Sequence, residues 1–98
     1  NATEILELVE DLLDDFREEV VIEVIKILQR REEEEIIKCI SEVAMNGTDK
    51  TVETALMALG SIGTEESVIS LSSLCRRLTK SSHKQMAYKQ LSHQYQNP

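Results

Sequence analysis

The apolar residues of this chain recur at a fixed spacing of 31 residues, and this recurrence restricts the possible folds more than any other feature. Two sets of apolar positions, each with the spacing of one helix face, return one repeat later along the chain. The first set is Val21, Val24, Ile25 and Leu28, which returns as Val52, Ala55, Leu56 and Leu59. The second set is Ile37, Ile40, Val43 and Ala44, which returns as Val68, Leu71, Leu74 and Cys75. Recurrence at this length predicts helical hairpins that stack on one another.

Half repeats extend the pattern towards both ends. Thirty-one residues before the second set stand Leu6, Val9, Leu12 and Leu13. At an offset of 32 residues, Ala55, Leu56 and Leu59 are followed by Ala87, Tyr88 and Leu91. We therefore expect an all-α fold, a right-handed α-α superhelix of about six helices in two full and two half repeats. A closed bundle of six amphipathic helices is the alternative.

Turn and capping residues predict where the helices begin and end. Two pairs have the spacing of a capping box: Asp15 with Glu18, and Ser82 with Gln85. Asn46-Gly47 tolerates the positive φ that ends many helices, and Thr48 or Asp49 then supplies an N-cap. Gly60 to Gly63 ends the following helix, and Thr64 opens the next one.

One domain is predicted over residues 1–98, and residues 1–2 are expected to be a cleavage remnant because no Met precedes them. The predicted helices lie near residues 3–15, 17–30, 33–46, 49–60, 64–79 and 82–94. The stretch 29–35 contains no Gly or Pro, so a continuous helix with Arg30 paired to Glu34 and Arg31 to Glu35 remains an alternative there.

Composition excludes several classes of protein. The net charge of −7 repels nucleic acid and anionic membranes, and aromatic residues make up only 3% of the chain. No apolar run approaches the roughly 20 residues that span a bilayer, so we expect a soluble, cytoplasmic protein. Cys39 and Cys75 lie within apolar helix patterns and are expected to be reduced, half-buried core residues.

The most specific segment runs from Asp49 to Val68. It joins a capping Asp49 to an Ala-Leu helix, the turn Leu59-Gly60-Ser61-Ile62-Gly63 and an acidic helix start at Glu65. This order resembles the short HEAT-like repeat of the phycobilisome-lyase type, and the resemblance is clearest over residues 49–78. It implies an armadillo-like α-solenoid whose second helices line a protein-binding surface. Glu53 stands where the family has Arg, so no role of that Arg transfers.

Residues able to support catalysis are scattered. His83 and His93 are ten positions apart with no metal-binding pattern, and the serines between Ser67 and Ser73 lack a nucleophile elbow. The run Glu32 to Glu35 is more typical of a solvated helix start than of a cation site. We expect no enzyme, no metal and no cofactor.

Charge is uneven: residues 1–35 hold thirteen acids and four bases, whereas residues 36–98 hold five acids and seven bases. Projection of the second helices places a ridge on their outer faces that grades from acidic to basic. We expect a partner to bind there through Glu4, Glu7, Asp11, Lys38, Glu42, Met45, Ile69, Ser73 and Arg76. An ordinary solvated face is the alternative, although Met45 and Ile69 are apolar residues within it.

Three functions are compatible with this surface. The favoured one is a protein-interaction scaffold or adaptor, whose partner carries a basic patch. The others are a small acidic immunity protein that neutralises a basic toxin, and an enzyme subunit of the phycobiliprotein-lyase type. Val20, Ile22 and Ile27 widen the apolar face of the second predicted helix, which indicates a homodimer or adjoining repeats.

Overall fold

The computed structural model describes residues 7, 11 and 17–96, and this part of the chain forms an all-α fold without strands. Its five helices are α1 (Glu18–Leu28), α2 (Glu34–Asn46), α3 (Asp49–Ile62), α4 (Glu65–Arg77) and α5 (Ser81–Gln96). The helix predicted near 3–15 lies outside the described residues except for Glu7 and Asp11, which are helical and exposed. Each of the five helices begins within one residue of its predicted start.

The helices pack in two alternating sets, the odd-numbered ones and the even-numbered ones. The central helix α3 contacts all four others, while α2 also contacts α4, and α4 also contacts α5. Consecutive odd-numbered helices therefore touch each other, as do the two even-numbered ones. Apolar stripes meet in one core, formed by Val21, Ile25, Leu28, Ile36, Ile37, Cys39, Ile40, Ala44, Val52, Ala55, Leu56, Ala58, Leu59, Leu71, Leu74, Cys75, Leu78 and Ala87. The sequence pattern placed Val68 and Tyr88 on buried faces. In the structure Val68 is half-buried and Tyr88 is exposed.

The alternative of one continuous helix through residues 29–35 is wrong. Helix α1 ends at Leu28, and Glu33 is extended with φ −61° and ψ 136° before α2 begins. The predicted i,i+4 pairs are replaced by a pair across the turn, in which Arg31 Nη2 donates to Glu33 Oε1 over 2.7 Å. This hydrogen bond lowers the pKa of the Glu33 carboxyl, so the pair stays charged to a lower pH than an isolated glutamate would.

Neither predicted capping box marks the observed start of its helix. Arg17 is the N-cap residue of α1 and makes no side-chain cap, while Asp15 lies outside the described residues. Helix α5 already begins at Ser81, which puts Ser82 inside its first turn. Thr48 and Thr64, by contrast, cap α3 and α4 by accepting from the backbone N–H groups of Thr51 and Ser67.

Candidate protein-interaction groove

A surface groove of about 450 Å³ runs between α2 and α4. Both helices turn their apolar stripes into the core, where Ile37 and Ile40 of α2 and Leu71 of α4 are fully buried. Positions next to these stripes border the groove, because side chains three and four apart share one side of a helix. The lining residues are Lys38, Ser41, Glu42, Met45, Asn46, Ile69, Ser70, Ser73, Leu74 and Arg77.

Apolar side chains from both helices contribute to the groove. Met45 is half-buried and packs against the core, whereas Ile69 is 60% exposed. Ser70 and Ser73 of α4 add only small side chains, which leaves open space between the two helices. An exposed isoleucine beside a flexible methionine can accept an apolar side chain from another molecule.

Charged groups border this apolar strip. On α2, Lys38 Nζ lies 3.7 Å from Glu34 Oε1, and Glu42 follows Lys38 one helical turn later. On α4, Arg77 lines the groove and is exposed. The groove therefore offers acidic and basic groups around an apolar centre, an arrangement that suits recognition of a polypeptide.

Five of the nine residues predicted to bind a partner line this groove: Lys38, Glu42, Met45, Ile69 and Ser73. Arg76 is exposed on α4, but its neighbour Arg77 contributes to the lining instead. Glu7 and Asp11 are exposed and are not part of the lining, and Glu4 lies outside the described residues. Arg77 lines the groove and Arg76 does not, because successive side chains on a helix point about 100° apart.

No family model, curated protein or solved structure matches this chain. Among residues 7, 11 and 17–96, no group of three or more His, Cys, Asp or Glu side chains is placed to hold a metal ion. No helix in the same described ranges is long and apolar enough to cross a membrane.

Sequence reasoning missed a second depression, of about 530 Å³, between the C-terminal ends of α1, α3 and α5. Its lining residues are Gln29, Met57, Gly60, Ser61, Gly63, Gln90, His93 and Gln94. The Gln94 side chain donates to the Gly60 carbonyl over 2.9 Å, so this amide already joins the two helices. The cluster of glutamines in the last predicted helix was the available signal.

His83 lies in a small polar cluster between α3 and α5. Asp49 Oδ1 is 2.7 Å from Lys80 Nζ and 3.0 Å from His83 Nε2. The hydrogen bond and charge of Lys80, with a smaller contribution from His83, lower the pKa of the Asp49 carboxyl. Through these interactions Asp49 links the start of α3 to the start of α5.

Both cysteines are buried in the core. Burial raises the pKa of the Cys75 thiol, which reduces the thiolate fraction and thus its reactivity at neutral pH. Cys75 is therefore suited to packing and not to nucleophilic attack.

Proposed function

We propose that this chain is a HEAT-like α-solenoid that acts as a protein-interaction scaffold or adaptor without enzymatic activity. Its helices support the solenoid part of the proposal by their spacing. Helix α1 begins at Glu18 and α3 at Asp49, while α2 begins at Glu34 and α4 at Glu65, so both helix types recur every 31 residues. Packing of odd-numbered helices on odd and even on even is the arrangement that stacked hairpins produce.

The α2–α4 groove is the observation that carries the functional part. In a stack of hairpins, α2 and α4 are the second helices of successive repeats, and together they border this space. Met45 and Ile69 provide an apolar contact for one anchoring side chain, since buried apolar anchors supply much of the binding energy at protein interfaces.

The expected partner is a polypeptide segment with one large apolar anchor and a basic patch. The anchor enters between Met45 and Ile69. The basic patch is attracted by the acidic first third of the chain, including the exposed Glu7 and Asp11. Charge attraction of this kind mainly accelerates association, whereas the apolar contact slows dissociation.

Cross-linking followed by kinetics tests this function. A photoreactive residue at Ser73 should capture one protein from a cell extract, and the same residue at Tyr88, on α5, should not. With that protein purified, Ile69→Asp should raise the dissociation rate, because it places a charge at the apolar contact. Glu7→Lys with Asp11→Lys should instead reduce the association rate at low salt.

Met57→Asp is the matched control, because Met57 is also an exposed apolar residue, 55% accessible, but lies outside this groove. It should leave both rate constants unchanged. Equal rate constants for the unmodified chain and Ile69→Asp would rule out the groove as the binding site.

A further inference from the structure

The side of α1 that points away from α3 carries an apolar surface, formed by Val20, Val24 and Ile27 and called here the α1 end face. Ile27 is 67% exposed, the highest exposure among the large apolar side chains of the described residues. Val20 and Val24 are half-buried, and Val24 also packs against the core. Ile22, which was predicted to act with Val20 and Ile27, is also half-buried but lies on the other side of α1.

The repeat shows how the equivalent surface of α3 is used. Residues 31 positions after the α1 end face are Thr51, Ala55 and Ala58, and all three are buried. Asp49 and Gly60 contact α5 and lie on the opposite side of α3 from Thr51 and Ala58. This surface of α3 therefore faces α1. The α1 end face, which stands at the equivalent positions of α1, is accordingly suited to packing against another helix.

Charges beside the α1 end face change sign along the helix. Glu19 and Glu23 stand near its start, whereas Lys26 stands near its end and Arg30 follows it. All four are exposed. Their spacing of three and four residues places them on one flank of the apolar surface.

This pattern is complementary to itself when one copy is reversed. In an antiparallel pair related by a two-fold axis, each flank faces the same flank of the other helix. Glu19 and Glu23 of one copy then come opposite Arg30 and Lys26 of the other. In a parallel two-fold pair each charged flank would instead lie beside the opposite flank of the other helix, so Glu19 and Glu23 would not meet Arg30 and Lys26.

We propose that this chain forms a homodimer in which the α1 end faces of two copies pack antiparallel around a two-fold axis. The contact involves only one helix from each copy. The surface area that it buries is therefore expected to be below the roughly 1,200 Å² at the lower end of standard specific interfaces. Dissociation constants of roughly 10 μM to 1 mM are therefore expected. The dimer uses neither Met45 nor Ile69, so it can form whether or not the α2–α4 groove binds a partner.

Sedimentation equilibrium and charge reversal test the dimer. The unmodified chain should change from monomer to dimer with rising concentration. Variant Glu19→Lys/Glu23→Lys, with a basic flank, and variant Lys26→Glu/Arg30→Glu, with an acidic flank, should each lose self-association. An equimolar mixture of the two should recover it as a heterodimer, because each flank then meets one of opposite charge.

Ile27→Asp should abolish the dimer, whereas Met57→Asp on α3 should keep it. A chain that stays monomeric up to about 1 mM would overturn the proposal, and would indicate that another segment of the polypeptide covers the end face. If circular dichroism shows that both charge-reversal variants are folded but their equimolar mixture still does not associate, the antiparallel arrangement is overturned.

Discussion

At the scale of single residues, two glycines end neighbouring helices for different physical reasons. Gly63 follows α3 with φ 64°, a left-handed conformation that is costly for residues other than glycine and asparagine. Gly47 follows α2 with φ −83°, which any residue can adopt. A Cβ at Gly47 would instead lie 2.8 Å from the Val43 carbonyl oxygen and against the Thr51 hydroxyl. The expected positive φ at Asn46-Gly47 is therefore wrong, although the helix does end there.

Substitution by alanine and by asparagine should separate these two causes. We expect Gly63→Ala to reduce the free energy of unfolding by about 1 to 2 kcal/mol, because a left-handed conformation is costly for alanine. Gly63→Asn should lose less, since asparagine tolerates that conformation. Urea denaturation monitored by circular dichroism measures both values.

The same substitutions at Gly47 are the control. Both Gly47→Ala and Gly47→Asn should destabilise, because either Cβ meets the Val43 carbonyl. If Gly63→Asn and Gly63→Ala have the same free energy of unfolding, the left-handed backbone conformation is not the reason for glycine at position 63.

At the scale of helices, the odd-numbered elements are joined by a recurring hydrogen bond at their starts. Glu18, the first residue of α1, accepts from the hydroxyl of Thr48, the N-cap of α3, over 2.6 Å. Asp49, the first residue of α3, accepts from Lys80, which directly precedes α5, over 2.7 Å. An acidic residue at each helix start also interacts favourably with the helix dipole. These bonds help to align successive helices at one end.

The pH dependence of stability should reveal the Asp49 link. Because the folded state lowers the pKa of Asp49 below its ordinary 3.8, the carboxylate stabilises the fold above that value. The contribution is lost as pH falls through the lowered pKa. We expect Asp49→Asn to be less stable than the unmodified chain at neutral pH and equally stable once the pH is well below 3.8.

Denaturation midpoints across pH, for the variant and for Glu53→Gln on the same helix, measure this difference. Glu53→Gln removes one carboxylate elsewhere on α3 and should leave the neutral-pH midpoint nearly unchanged. A gap between the unmodified chain and Asp49→Asn that persists at the lowest pH would contradict the electrostatic origin.

At the scale of the whole molecule, α3 is the centre of the packing and the outer helices are covered on fewer sides. Helix α3 contacts every other described helix, whereas α1 packs chiefly against α3. The outward side of α5 carries polar groups around Tyr88, while the α1 end face is apolar. The two outer described helices, α1 and α5, therefore differ in the polarity of their outward sides.

Hydrogen exchange should follow this gradient of coverage. The backbone amides of Leu56 and Leu59 in α3 should exchange most slowly, and those of Leu91 in α5 should exchange faster. A helix that is packed on fewer sides can open locally while the rest of the fold stays closed, which lowers its local stability. Equal protection of α3 and α5, measured by NMR, would show that the described helices unfold together.

The sequence alone determined where the described helices start and half of the residues that line the groove. Helix starts follow from apolar spacing and from Thr48 and Thr64, because these signals act within a few residues of the chain. Met45 and Ile69 were predicted because helical spacing places them beside the apolar stripes of their helices.

Only the tertiary structure decided what depends on contacts between distant residues. The choice of Arg77 over Arg76, the steric need for Gly47 and the link from Asp49 to Lys80 all follow from how packed helices are rotated and placed. Local sequence does not encode those rotations, because they come from the fit of side chains across helix interfaces. The periodic pattern thus specified each helix, and packing specified which of its groups meet.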